Sequence, residues 1–231
     1  MTNIIKILNA GVMNYMKSLA LQKHIAAQHH ASDQDGMDTI IFVEHPPVYT
    51  IGIRTKDYTE EDQVRLQRTG GYVGAEFYKT NRGGLITFHG PGQLVVYPIL
   101  NLKHFKPSMK WYICHIEKTV IDVCTKFGLK ANTSPHTGVW IGDNKICAIG
   151  VHGSRFVTTH GLAINCCTDL EWYKHIVPCG IKDKGVTTLT KELNRVVTVE
   201  EVMPIFLDCF KKYFNCNYID YPQDEKIKLS L

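Results

Sequence analysis

The sequence is short of most of the features that would place it quickly. None of its 231 residues fall in a run near the roughly 18 apolar residues that a membrane-spanning helix needs, and the most apolar stretches, 39–43 and 146–151, are strand-sized. That excludes a transmembrane span. There is no Cys-x-x-Cys and no His-x-x-x-His, so a zinc site is not expected. Phosphate loops need Gly-Lys-Ser/Thr and dinucleotide sites need G-x-G-x-x-G; neither is present. No repeat, low-complexity tract or Pro/Gly/Ser linker divides the chain. A length near 150 residues per domain permits one or two domains, and the missing linker favours one, over residues 1–231.

Charge of one sign is also scarce. With 26 Lys+Arg against 22 Asp+Glu the net charge is +4, too little to argue for nucleic acid but compatible with acidic protein partners. The first 32 residues hold Lys6, Lys17 and Lys23 and no acid, as a mitochondrial targeting segment would, yet they contain no Arg and only two serines. They also read as a strand over 4–8 feeding an amphipathic helix over 12–28. Eight cysteines without a secretory segment read as reduced thiols, mostly small core residues such as Cys114, Cys124 and Cys147.

What the sequence does contain is alternating short strands and helices. Residues 40–43 read as a buried strand stopped by His45-Pro46-Pro47, and 59–68 as a short polar helix. Strands are expected at 76–80, 85–88 and 94–100. The clearest helix is 108–127, with Trp111, Cys114, Ile116, Val120, Val123, Cys124 and Phe127 at helical spacing and Gly128 as its stop. Residues 138–141 and 145–151 flank a Gly142-Asp143-Asn144 turn as a hairpin, and 162–166 is a further strand. Thr198-Val-Glu-Glu201 is a capping box for a last helix carrying Val202, Ile205, Phe206 and Phe210, with Pro204 expected to shift or kink it. The pattern is a mixed α/β domain.

Chemistry concentrates in a few places. Arg82-Gly-Gly-Leu-Ile-Thr-Phe-His-Gly-Pro-Gly-Gln93 holds four glycines in twelve positions, which lets backbone amides approach a ligand closely. Taken alone it is equally a pair of tight turns round a strand. Cys179 lies between Pro178 and Gly180, where a loop thiol can be exposed and aimed; a neighbouring cation would make it a nucleophile, and without one it is an ordinary loop cysteine. Lys145 opens an otherwise apolar strand and reads either as such a cation or as a solvated turn lysine. His89, His152 and His160 are candidate bases, and His29-His30 a solvated helix end.

These motifs, together with Thr137-Gly-Val-Trp140, Lys145-Ile-Cys-Ala-Ile-Gly-Val151, His160-Gly-Leu-Ala-Ile-Asn165 and Pro178-Cys-Gly180, resemble the successive signatures of the octanoyltransferase (LipB) family. Residues 186–193 and 198–204 resemble its animal mitochondrial members. Phe88 and Ile164 depart from the residues common in the family, Tyr and Leu. The resemblance implies a mixed β-sheet flanked by helices, as in biotin and lipoate protein ligases. It implies that Cys179 takes octanoyl from octanoyl-acyl carrier protein as a thioester and passes it to a lysine of lipoyl domains, such as those of glycine cleavage H protein and 2-oxoacid dehydrogenase E2 subunits. Lys145 corresponds to the residue that lowers the thiol pKa. Arg82, Gly83, Gly84, Leu85, Ile86, Thr87, Phe88 and His89, with Ala148, Ile149, Gly150, Gly161, Leu162 and Ala163, correspond to acyl-binding stretches. No cofactor or metal is implied, and the expected location is the mitochondrial matrix. An ATP-dependent lipoate or biotin ligase, or a non-catalytic lipoyl-domain binder, are the rival readings; the first would need an adenylate site and the second has no use for Lys145 and Cys179.

Overall fold

The computed structural model describes residues 2–31, 36–55, 58–68, 74–177 and 184–222. Chain order begins with strand β1 (Asn3–Val12), helix α1 (Tyr15–Ala31) and strands β2 (Thr39–Glu44) and β3 (Val48–Ile51). Helix α2 (Glu60–Arg68), β4 (Glu76–Lys79), β5 (Thr87–His89) and β6 (Gln93–Ile99) follow. After α3 (Met109–Lys126) come β7 (Val139–Ile141), β8 (Asn144–Ser154), β9 (Val157–Asn165) and the two-residue β10 (Gly185–Val186). The chain ends with α4 (Leu189–Leu193), α5 (Val199–Phe214) and β11 (Cys216–Asp220).

The large sheet runs β10-β8-β9-β6-β2-β1-β11, with β7 also paired to β8. It is mixed: β1 is parallel to both β2 and β11, β10 is parallel to β8, and the remaining pairs are antiparallel. One face is covered by α3 and α5. Their buried residues Tyr112, Ile116, Val120, Phe206 and Phe210 meet Phe42, Leu94, Val96 and Ile164 of the sheet, as period-two alternation requires. The opposite face takes α1, where Leu21 and Ile25 pack on Ile41, Val43, Val95 and Tyr97. A small sheet, β4-β3-β5, carries its own cluster of Tyr49, Phe88, Trp172 and Tyr173, in which the rings of Phe88 and Trp172 stack with centroids 5.1 Å apart. No described helix is long and apolar enough to cross a membrane.

Several sequence expectations shift. The strands expected at 76–80 and 85–88 are β4 and β5, and each pairs with β3, a strand that the prolines at 46 and 47 concealed. Helix α3 begins as expected, with Ser108 as its cap accepting from the Trp111 N–H, but the buried face begins at Tyr112 and leaves Cys114 exposed. Pro204 sits inside α5 without ending it, and the expected cap at Thr198 holds. His29 is not solvated: it is buried 3.8 Å from Asp38, whose other oxygen takes Nδ1 of His104 at 2.8 Å.

Phe206 is fully buried between Phe42 and Phe210, each with its ring centroid 5.8 Å away. Phe206→Ala is therefore expected to cost about 3–5 kcal/mol of stability, seen as a lowered urea midpoint with an unchanged slope.

Candidate active site

A cavity of about 430 Å³ opens between the large sheet, α1 and the small sheet, within the range of about 300–1,000 Å³ typical of ligand pockets. Its floor is made by β8 and β9, where Ala148 pairs with Ala163 and Gly150 with Gly161. Two small residues on each strand leave the sheet surface bare. Gly161 has a further constraint, since a Cβ there would meet the Val96 carbonyl and lie 2.9 Å from Pro98 Cδ. Pro98 interrupts the central strand β6, and the pairing of β6 with β9 stops at Val96–Leu162. Here β9 departs from regular backbone: His160 has φ +57°, and its N–H leaves the sheet to reach Gln22 Oε1 of α1 at 2.8 Å.

Over this floor lies the segment after β4. Arg82 is buried, its Nη2 donating to the Thr50 carbonyl at 2.7 Å and Thr50 Oγ1 at 2.9 Å, its Nη1 to the Gly83 carbonyl at 3.0 Å. A Cβ on Gly52, Gly84 or Gly150 would lie within 3.3 Å of that guanidinium, so the glycines make room for Arg82 as much as for a ligand. The Gly83 N–H fastens the loop to the Val151 carbonyl at the edge of β8 at 2.9 Å.

Of the residues matched to acyl-binding stretches, Arg82, Gly83, Gly84, Leu85, Thr87, His89, Ala148, Ile149, Gly150, Gly161, Leu162 and Ala163 line the cavity. Ile86 and Phe88 do not. Alternation along this segment turns Thr87 and His89 towards the cavity and Ile86 and Phe88 into the core beneath β3. Lys145 also lines it, buried, with Nζ 4.8 Å from the Trp140 ring centroid and its stem against Gly138. It is not a solvated turn lysine. Pro178, Cys179 and Gly180 lie outside the described residues. The described chain leaves at Val177 and resumes at Lys184, and Val186 of β10 pairs with Lys145.

Sequence reasoning missed Tyr15, Val95 and Tyr97 in the lining, residues that come together only through the fold. Behind them a ring cluster forms: Tyr15, His45, His89 and Tyr97, with centroids 5.4–6.3 Å apart. His45 Nδ1 faces the Met13 carbonyl at 2.7 Å, which can only accept, so Nδ1 carries the proton and Nε2 accepts from the Tyr97 hydroxyl at 2.8 Å. His89 donates Nδ1–H to Gln93 Oε1 at 2.7 Å. Burial, opposed by the hydrogen bond to the Met13 carbonyl, pushes His45 down to about 4; burial, with the Arg82 cation nearby, pushes His89 and His160 down to about 3. Tyr15 is raised to about 12 by burial. The cysteines 147 and 166 are held well above the ordinary thiol range by burial, which leaves them inert core residues.

A line of hydrogen bonds runs through the site in one direction. Arg82 donates to Thr50 Oγ1, whose own proton faces His89 Nε2 at 3.4 Å, and His89 donates to Gln93. Gln93 Nε2 donates to Asn165 Oδ1 at 2.9 Å, Asn165 Nδ2 to the Thr187 carbonyl at 3.0 Å, and the Thr187 N–H to the Lys145 carbonyl at 3.0 Å. The cavity roof and the backbone of Lys145 thus share one network.

Three histidines kept neutral by burial have a consequence for stability. Below about pH 6.5 the unfolded chain protonates them while the folded chain does not, so stability is expected to fall as pH drops towards 4. The slope is up to about 1.4 kcal/mol per pH unit for each. Urea unfolding between pH 7 and 4.5 measures it, and His45→Phe should flatten the dependence.

Residues 14–211 match the family model of the lipoyl protein ligase A/B catalytic domain. The chain is 53% identical over 212 residues to the mitochondrial octanoyl-acyl-carrier-protein:protein N-octanoyltransferase of Danio rerio, covering 92% of this chain and 93% of that one. It is 38% identical over 225 residues to the mitochondrial octanoyltransferase of Arabidopsis thaliana, 95% of this chain and 92% of the other. In three dimensions it is similar to a bi-partite lipoate protein ligase of Thermoplasma acidophilum, with a TM-score of 0.74 over 99% of this chain and 91% of that one, at 15% identity. On sequence and fold together, the chain belongs to the lipoyl protein ligase A/B catalytic domain family.

Proposed function

We propose that this protein is an acyltransferase that moves an octanoyl group from octanoyl-acyl carrier protein to the lysine amine of lipoyl domains, through a thioester on Cys179. The likeness to named octanoyltransferases over nearly the whole chain carries the reading. A cavity floored by alanine and glycine, with a buried amine at one side, supports it. Acceptors of this chemistry include the lipoyl domains of glycine cleavage H protein and of 2-oxoacid dehydrogenase E2 subunits. The mitochondrial names of the relatives support a location in the mitochondrial matrix.

In this scheme the Cys179 thiolate, paired with the Lys145 ammonium, attacks the carrier's thioester carbonyl. The new C–S bond forms, the old one breaks, and the departing carrier thiolate takes a proton from Lys145. The acceptor lysine then attacks the Cys179 thioester. An amide forms, the Cys179 thiolate leaves, and the amine's proton passes to Lys145, restoring the starting pair. Thioester exchange is nearly balanced and amide formation is downhill, so no ATP is consumed. Arg82, Thr87 and His89 from above and the small residues of β8 and β9 from below hold the chain.

Incubation with octanoyl-acyl carrier protein in the absence of ATP should leave an octanoyl mass on the peptide containing Cys179, and Cys179→Ser should lose both the adduct and transfer while staying folded. A folded Ser variant that still transfers would remove the covalent route. Lys145→Met should raise the Cys179 thiol pKa towards about 8.5, slowing its alkylation below that pH. Lys145→Arg keeps a cation that cannot shed its proton, so it should preserve thiol reactivity better than transfer. Equal alkylation–pH profiles for wild type and Lys145→Met would assign the activation of Cys179 to another group.

A further inference from the structure

The cavity is bounded on one side with unusual definition. Its floor crosses the sheet from β8 to β9 along two paired rows, Ala148–Ala163 and Gly150–Gly161. On the next strand, β6, the small residues end: Val95 pairs with Ala163, and Tyr97 stands two positions along on the same face. No residue of β2, the strand beyond β6, lines the cavity. The open floor therefore spans two interstrand steps from β8 to β6, about 10 Å. An extended eight-carbon chain, with seven C–C bonds of about 1.5 Å, advances roughly 9 Å in zigzag.

The barrier on β6 is also held in place. Tyr97 is buried and its hydroxyl donates to His45 Nε2 at 2.8 Å, while His45 is itself anchored on the Met13 carbonyl at 2.7 Å. The Tyr15 and His89 rings close the same side, 5.4 Å and 6.0 Å from the His45 ring. A side chain tied through a buried histidine to the backbone cannot swing aside as a free rotamer does, because leaving would strand a buried acceptor. Uncharged rings are a suitable end for a methyl group; a free cation there would not be.

We propose that Tyr97, fixed by His45, is the residue that limits acyl-chain length in this enzyme, by stopping the chain where the small-residue floor ends. The statement rests on the acyl-transfer reading and adds to it the specificity-determining residue and the class of substrate excluded: straight-chain acyl groups longer than eight to ten carbons. His45 is a positioning residue in this arrangement, acting through Tyr97 and not on the acyl chain.

The test compares octanoyl-, decanoyl- and dodecanoyl-acyl carrier protein as donors to a lipoyl domain, by kcat/KM. Tyr97→Leu is expected to raise the dodecanoyl-to-octanoyl ratio at least tenfold, roughly the worth of two methylenes newly admitted to an apolar site. Tyr97→Phe keeps the bulk and should keep the ratio within a few-fold of wild type. A folded Tyr97→Leu with an unchanged ratio overturns the proposal. Should Tyr97→Leu fail to fold, the wild-type protein decides: an octanoyl thioester carrying a diazirine at its far end, irradiated when bound, should label Tyr97 or Val95, and labelling only elsewhere overturns it. Wild type that transfers no octanoyl group at all would fail the acyl-transfer reading itself, a result distinct from transfer with an unmoved ratio.

Discussion

A guanidinium lowered onto a β-sheet leaves no room for side chains beneath it, and much of this structure follows from that. Arg82 is buried against Thr50 and Gly83, and Gly52, Gly84 and Gly150 lie where any Cβ would press on it. The Thr50 and Gly83 oxygens that take its N–H groups are neutral, and hydrogen bonds from a cation to them are strong. The glycine-rich run from 82 to 92 and the small residues of β8 and β9 are two halves of one fit. The space that remains once Arg82 is seated is the cavity.

The main sheet was largely legible in the sequence because its strands are long apolar runs separated by clear turn signals. The β7–β8 hairpin, helix α3 with its Gly128 stop and the capped helix α5 were all readable from local patterns. The small sheet was not, since β3 is four residues long and directly follows two prolines, and without it β4 and β5 have no visible partner. β11 at the C-terminus also went unread, because a parallel pairing with β1 across the whole chain leaves no local trace.

In the site, the resemblance marked the stretches and alternation sorted the residues within them. Ile86 and Phe88 belong to the core for the same period-two reason that puts Thr87 and His89 at the cavity, and that separation could have been made from the sequence. Tyr15 and Tyr97 could not have been found this way: 82 positions separate them (97 − 15), and each reads as an ordinary core aromatic. The buried polar residues Gln22, His45, Gln93 and Asn165 carry the same lesson. Their value comes from distant partners, His160 for Gln22, Tyr97 for His45, and one another for Gln93 and Asn165, through hydrogen bonds that only the folded chain defines.

Asn165 has one further consequence, in the arithmetic of loop closure. Its Oδ1 meets the Tyr173 hydroxyl at 3.3 Å and its Nδ2 holds the Thr187 carbonyl, so thirteen residues, 174 to 186, depart and return at a single amide. Bringing the ends of such a loop together costs chain entropy that grows only slowly with its length, and here one side chain at the end of β9 offsets it. The clasp is polar, while the sheet on which it sits is fastened by apolar burial. Just inside its two ends, Ile176 and Val186 pack on the Tyr49, Phe88 and Trp172 cluster, so a polar clasp and an apolar contact together fix where the chain leaves the sheet and where it returns.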